Sequence, residues 1–175
     1  MKRRTLLATA LALPASAALA QQTPLGLLNA LGGAGPEHFI DMAGMSDLFE
    51  IESSRILLIG SRHPQIREFA QMMIEHHTRS TNELRLIPAA AARNPVDLDE
   101  RHERLLNVLR AAQGDLLDRT YIDQQVDAHI EAIQLYEVFL QNRTPSPLRD
   151  FAERNLPMIR EHLARARAFQ VPTRG

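Results

Sequence analysis

The sequence predicts an all-α protein, an antiparallel up-and-down helical bundle. Apolar residues recur at spacings of three and four from Phe39 to Phe169, which is the period of an amphipathic helix. Almost no stretch alternates apolar and polar residues as a half-buried strand does. Short breaks separate the periodic segments, and short connections favour antiparallel neighbours. The chain has 175 residues, so we expect one core rather than several domains.

The first 20 residues have the order of a bacterial export signal. Basic residues 2–4 precede an apolar stretch from Leu6 to Leu13, and small residues precede Gln21. We expect cleavage after Ala20 and a periplasmic mature protein. The pair Arg3-Arg4 is compatible with either an ordinary signal or a twin-arginine signal. No later segment is apolar enough to span a bilayer, so no transmembrane anchor is expected after cleavage.

Residues 21–36 are predicted to be a flexible linker and residues 37–170 the helical bundle domain. The linker prediction depends on its Gly, Ala and Gln content. The first helix is predicted over about 37–59, and its inward face is left open between two registers. These alternative faces are Met42, Met45, Phe49, Glu52, Ile56 and Ile59, or Leu48, Ile51 and Leu58.

The remaining helices are predicted at about 64–87, 97–114, 115–141 and 147–169, with a connector over 88–95. Pro64 and Pro147 suit the first helical turn, where a proline loses no hydrogen bond. Asp97 with Glu100 has the spacing of a capping box. Asp115 is a candidate cap for the fourth helix and Ser146 for the last.

Three histidines lie on the inward faces of three different predicted helices. His77, His129 and His162 occupy positions at which a bundle normally has an apolar residue. Burying imidazoles is costly unless they bond a partner. Glu52, in one register of the first helix, and Glu137, about two turns beyond His129, add carboxylates near this face.

Imidazoles and carboxylates on facing helices are the ligands with which bundles hold iron, zinc or copper. The sequence therefore predicts a candidate metal site at His77, His129 and His162, with Glu52 or Glu137 nearby. The alternative is a metal-free polar core in which the histidines bond neighbouring side chains or carbonyls.

The other histidines are expected to lie outside this site. His76 points about 100° away from His77 around the helix, so we expect it on the surface. Asp99 and His102 lie at a charged helix start, where a solvated capping role is expected. His38 and His63 lie at helix boundaries, which favours capping or exposure.

Several function classes are disfavoured. The chain has no cysteine, which excludes disulfides and thiolate metal sites. It has no Glu-x-x-His, the di-iron motif of ferritin-type bundles, and none of the common hydrolase or phosphate-binding motifs. A non-enzymatic protein is therefore favoured over a metal-dependent redox enzyme. Acidic residues number 21 against 20 basic ones, three of which lie in the signal, so nucleic acid is not expected as a partner.

Several runs of the chain resemble a bacterial protein family over about residues 39–169. These runs are Arg67–Thr78, Tyr121–His129, Phe151-Ala152, Leu156-Pro157 and His162-Leu163. They are similar to the domain of unknown function 4142. The resemblance implies a ferritin-like helical bundle in exported proteins, without an established activity, and maps the family's motif histidines onto His77, His129 and His162. Family members often have an acidic residue where this chain has His76.

The sequence thus leads to two functional hypotheses. The first is a periplasmic bundle that binds a transition metal ion, Fe, Cu or Zn, through its core histidines. The second is a structural or stress-related protein of the envelope, with a metal-free polar core and an envelope protein as its partner.

Overall fold

The computed structural model describes residues 35–93 and 97–170, and these form six helices without a strand. The helices are α1 (Pro36–Gly60), α2 (Pro64–Arg85), α3 (Pro88–Ala91), α4 (Glu100–Ala111), α5 (Asp115–Leu140) and α6 (Pro147–Gln170). The predicted all-α bundle is confirmed. The predicted export signal and nearly all of the predicted linker lie outside the described residues, and Pro36 is already the first residue of α1.

Most helix starts follow the predicted chemistry. Proline is at the first position of α1, α2 and α6. The side chain of His63 accepts a hydrogen bond from the backbone N–H of Ile66 at 3.4 Å, and Ser146 Oγ accepts one from Arg149 N–H at 3.1 Å. Both residues therefore cap helices, as their positions predicted.

The starts of α4 and α5 differ from the prediction. Asp99 caps α4, since its Oδ1 accepts from the backbone N–H of His102 at 2.8 Å; the capping box predicted for Asp97 and Glu100 does not form. Asp115 is the first residue within α5, and Gly114, at φ 55°, holds the cap position. Glycine adopts a positive φ readily because it has no side chain, so Gly114 allows the chain to turn directly into α5. The predicted connector over 88–95 contains the short helix α3.

The four long helices form the body of the bundle. Helix α1 packs against α2 and α5, α6 packs against α5 and α2, and α4 covers α1 and α5. Contacts between α1 and α5 occur in opposite chain order, since Ser54 meets Tyr121 and Phe39 meets Phe139. The likeness to ferritin stays a prediction. Within the described ranges, no helix is both long and apolar enough to cross a membrane.

The buried face of α1 matches neither predicted register. It contains Asp47, Glu50, Ser53 and Ser54 together with apolar residues, whereas Ile59 is 89% exposed. Because four buried positions of this helix are polar, apolar periodicity identified the wrong inward faces. This polar inner face is the main structural feature of α1 that the sequence did not predict.

Two apolar clusters fill the core. One surrounds Phe69 and Tyr121, and the other surrounds Phe39 and Phe151. The buried histidines lie where the clusters meet: along α5, for example, His129 separates Val126 of the first cluster from Ala132 of the second. A layer of polar side chains therefore divides the core, and this layer contains the candidate site.

Candidate metal centre

His77, His129 and His162 come together at the same height in the bundle. One ring nitrogen from each lies within 4.8 Å of the others. Their ring centroids are 5.3 to 5.8 Å apart, and all three side chains are buried. The structure thus brings together the three histidines that the sequence had placed on inward faces of separate helices.

Each ring has one nitrogen bonded to the protein. His77 Nδ1 bonds Asp47 Oδ1 at 2.8 Å, His129 Nδ1 donates to the carbonyl of Gln125 at 2.7 Å, and His162 Nε2 bonds His76 Nδ1 at 2.8 Å. A histidine that ligates a metal usually bonds a carboxylate, carbonyl or water through its second nitrogen. His77 and His129 have such a bond, whereas His162 bonds the imidazole of His76 instead. These bonds fix the orientation of all three rings.

The other nitrogen of each ring has no hydrogen-bond partner although it is buried. These atoms are His77 Nε2, His129 Nε2 and His162 Nδ1. Buried polar atoms are nearly always paired, so three unpaired ones in the same cluster require an explanation. A bound cation would provide it, because an unprotonated ring nitrogen is a metal ligand.

The protonation states differ among the three rings. Burial, with the nearby charge of His77, lowers the pKa of His129 to about 3. Burial, with the charges of His77 and His129, lowers the pKa of His162 to about 2. Both rings are therefore neutral near pH 7, which is the form that binds metals.

His77 behaves differently because of Asp47. Burial disfavours its imidazolium, but the hydrogen bond and the charge of Asp47 raise the pKa of His77 above its ordinary value. The carboxylate is held in turn by Thr81, whose Oγ1 donates to Oδ2 at 3.2 Å. A metal ion would have to displace a proton from His77.

A buried carboxylate next to the cluster was not predicted. Glu50 is 1% exposed, its Oε1 lies 3.5 Å from His129 Nδ1, and neither of its oxygens has a hydrogen-bond partner. Burial raises the pKa of Glu50 to about 7. The only available signal was its spacing of three from Asp47, which places both acids on one face of α1.

The two glutamates predicted to lie near the site are placed elsewhere. Glu52 accepts a hydrogen bond from Arg55 at 2.6 Å, and Glu137 accepts one from Arg160 at 2.7 Å on the surface. The structure does not bring either of them into the histidine cluster. Glu52 lies two residues beyond Glu50 in α1. Residues at a spacing of two point to nearly opposite sides of a helix, so burial of Glu50 turns Glu52 away from the site.

Two histidines expected at the surface have buried contacts instead. His76 stacks on His162 with centroids 5.1 Å apart, because α2 packs against α6 as well as α1. His102 is 7% exposed, lies 5.1 Å from the ring of Phe49 and bonds Asp99 at 2.7 Å. The expectation of a solvated position was wrong for His102, whereas His76 is half-buried, because a helix with two neighbours covers more than one stripe.

Comparison with known proteins identifies the family. The family model described as Domain of unknown function (DUF4142) matches residues 29–169, which include all three site histidines. No curated protein and no solved structure matches the chain. Since the match covers most of the sequence, the chain belongs to the DUF4142 family.

Proposed function

We propose that this protein binds one transition metal ion, Fe, Cu or Zn, through His77, His129 and His162. The observation that carries the proposal is the cluster of three buried histidines, in which one ring nitrogen from each lies within 4.8 Å of the others. Each ring also has one buried nitrogen without a partner and one that is bonded to the protein. Imidazole is a good ligand for each of these metals.

The free energy of the site favours a bound ion. A buried polar atom without a partner costs about 1 to 3 kcal/mol, and the cluster contains three such nitrogens. A metal ion would satisfy all three at once. The bundle around it would then act as a rigid support, because the ligands belong to α2, α5 and α6 rather than to mobile loops.

The proposed role is binding rather than catalysis, and its proposed compartment is the periplasm. The compartment follows from the export signal expected over residues 1–20. The rival hypothesis, a structural protein with a metal-free polar core, makes the opposite prediction for metal content.

The first prediction tests the proposal by metal content. Chelator-treated protein is reconstituted separately with Zn²⁺, Co²⁺, Fe²⁺ under anaerobic conditions, and Cu²⁺, and bound metal is measured by mass spectrometry after gel filtration. We expect one ion per chain for at least one metal. His129→Gln should weaken binding by at least about 100-fold, because it removes a direct ligand rather than an outer partner.

The matched control is His102→Gln, which removes another buried histidine that lies outside the cluster. This variant should bind as the unmodified protein does. Circular dichroism establishes that both variants fold. If no metal binds, or if His129→Gln binds as tightly as the control, the metal-free polar core replaces the proposal.

A further inference from the structure

Glu50 is an acidic side chain that the three-histidine site does not use. It lies on the inner face of α1 at 1% exposure, 3.5 Å from one ring nitrogen of His129. It is also near enough to His77 for their charges to interact. Both of its oxygens are buried without a partner. A buried carboxylate in this state is costly unless it meets a cation or a donor.

The other acids considered for the site have partners of their own. Asp47 bonds His77 and Thr81, while Glu52 and Glu137 are paired with arginines. In the part of the chain that the structure describes, Glu50 is the one carboxylate with both oxygens buried and unpaired.

The charges of the polar layer around the histidines indicate which metal ion would make the buried centre neutral. Three neutral imidazoles bring no charge, whereas the carboxylates of Asp47 and Glu50 bring two negative charges when both are ionised. A divalent cation would make the buried centre neutral, but Cu⁺ would leave one uncompensated negative charge. The nearby Arg79 and Arg165 are exposed, so water screens their charges.

We infer that Glu50 supplies the fourth, anionic ligand and that the site therefore takes a divalent ion such as Zn²⁺ or Fe²⁺ in preference to Cu⁺. The inference rests on the proposed function and adds a ligand and a metal class to it. Oxygen ligands suit harder ions, whereas Cu⁺ prefers thiolates and thioethers. Three histidines and one carboxylate also complete the four positions that zinc commonly uses.

Glu50 must rotate to reach the ion. Its contact is with His129 Nδ1, the nitrogen that bonds the carbonyl of Gln125, whereas the free nitrogen is Nε2. Neither oxygen has a close hydrogen-bond partner in the present rotamer, although the side chain of Gln125 is near enough to lower the pKa of Glu50. A change of rotamer would replace this unpaired position with a bond to the cation.

The second prediction uses Glu50→Gln and its matched control Glu52→Gln, two residues away on the same helix. Each protein is loaded with Co²⁺, whose visible absorption reports ligand type and number, and is then titrated with Zn²⁺ in competition with a chelator. Glu50→Gln should bind Zn²⁺ at least about 100-fold more weakly and change the Co²⁺ spectrum. Glu52→Gln should match the unmodified protein in both.

Two further measurements separate a ligand from a mere counter-charge. Glu50→Asp keeps the charge but is one methylene shorter, so it should also change the Co²⁺ spectrum if Glu50 is a ligand. The preference for Zn²⁺ over Cu⁺, measured with competing chelators, should fall at least about tenfold in Glu50→Gln.

An unchanged Co²⁺ spectrum in both Glu50 variants overturns the inference, even if their affinity falls, since a counter-charge alone would act in that way. Equal preference for Cu⁺ and Zn²⁺ in the unmodified protein also overturns it. These outcomes leave the three-histidine site intact. If the unmodified protein binds no metal, it is the proposed function that fails.

Discussion

The buried ionisable residues of the central layer should make the metal-free protein sensitive to acid. In the fold, the pKa of His129 is lowered to about 3 and that of His162 to about 2, against an ordinary value of 6.5. Below pH 6.5 these two histidines therefore bind protons in the unfolded chain but not in the folded chain. The stability contributed by these two residues is present above pH 6.5 and is lost as the pH falls towards their folded pKa values.

The third prediction follows from this proton balance. In chelator-treated protein, His162→Gln should flatten the dependence of unfolding free energy on pH below 6.5 by about 1.4 kcal/mol per pH unit, the value for one proton. Urea unfolding at pH 6.5, 5.5 and 4.5 measures the difference from the unmodified protein. Parallel pH dependences would show that His162 is already protonated in the fold.

Glu50 acts in the opposite direction. Its folded pKa of about 7 lies above its ordinary value of 4.5, so the fold retains a proton that the unfolded chain releases. Its contribution is most favourable below pH 4.5 and is lost as the pH rises to about 7. Measuring His162→Gln against the unmodified protein cancels this effect, because both contain Glu50.

At the scale of the helices, polar residues determine where a helix begins and which of its faces is buried. The inner face of α1 includes Asp47 and Glu50, and this is why its apolar pattern is weak although most of that face is buried. Helix α4 is short, at 12 residues, and depends on its N-terminal cap. Asp99 provides that cap and also bonds the side chain of His102.

The fourth prediction compares the two candidate caps of α4. Asp99→Ala should lower the unfolding free energy by about 1 kcal/mol, the usual cost of losing an N-cap. Asp97→Ala, at the exposed position of the predicted capping box, should change it by less than about 0.5 kcal/mol. Urea denaturation of the unmodified protein and the two variants measures these changes. A larger loss of unfolding free energy in Asp97→Ala than in Asp99→Ala would show that Asp97 is the cap.

For the whole molecule, the central layer joins two apolar clusters. The cluster around Tyr121 and the cluster around Phe151 meet at the histidines, and the three histidine ligands of the proposed ion come from three of the four long helices. Without an ion, the unpaired atoms of the layer lower the stability of this junction. A bound ion would connect the helices through this junction.

The fifth prediction concerns this coupling. An ion at 100 times its dissociation constant should stabilise the fold by about 2.7 kcal/mol, which corresponds to a rise in melting temperature on the order of 10 °C. Hydrogen exchange should slow in α2, α5 and α6 together. Protection confined to α2 would contradict a site shared among three helices, and His129→Gln should show neither effect.

The sequence by itself determined the all-α bundle, the approximate ends of its long helices and the three histidines of the candidate site. It could do so because apolar spacing, prolines and capping residues act locally, and because a histidine in an apolar stripe is conspicuous. The family resemblance, stated from motifs of α2, α5 and α6, is confirmed by the family match.

Only the tertiary structure decided that the histidines meet at one height, that Asp47, Gln125 and His76 bond their outer nitrogens, and that Glu50 rather than Glu52 is buried beside them. The rotation of α1 about its axis depends on which side chains of α2 and α5 accept its polar face. The pairings of Asp47 with His77 and of His76 with His162 join residues 30 or more positions apart, and local sequence patterns contain no information on them.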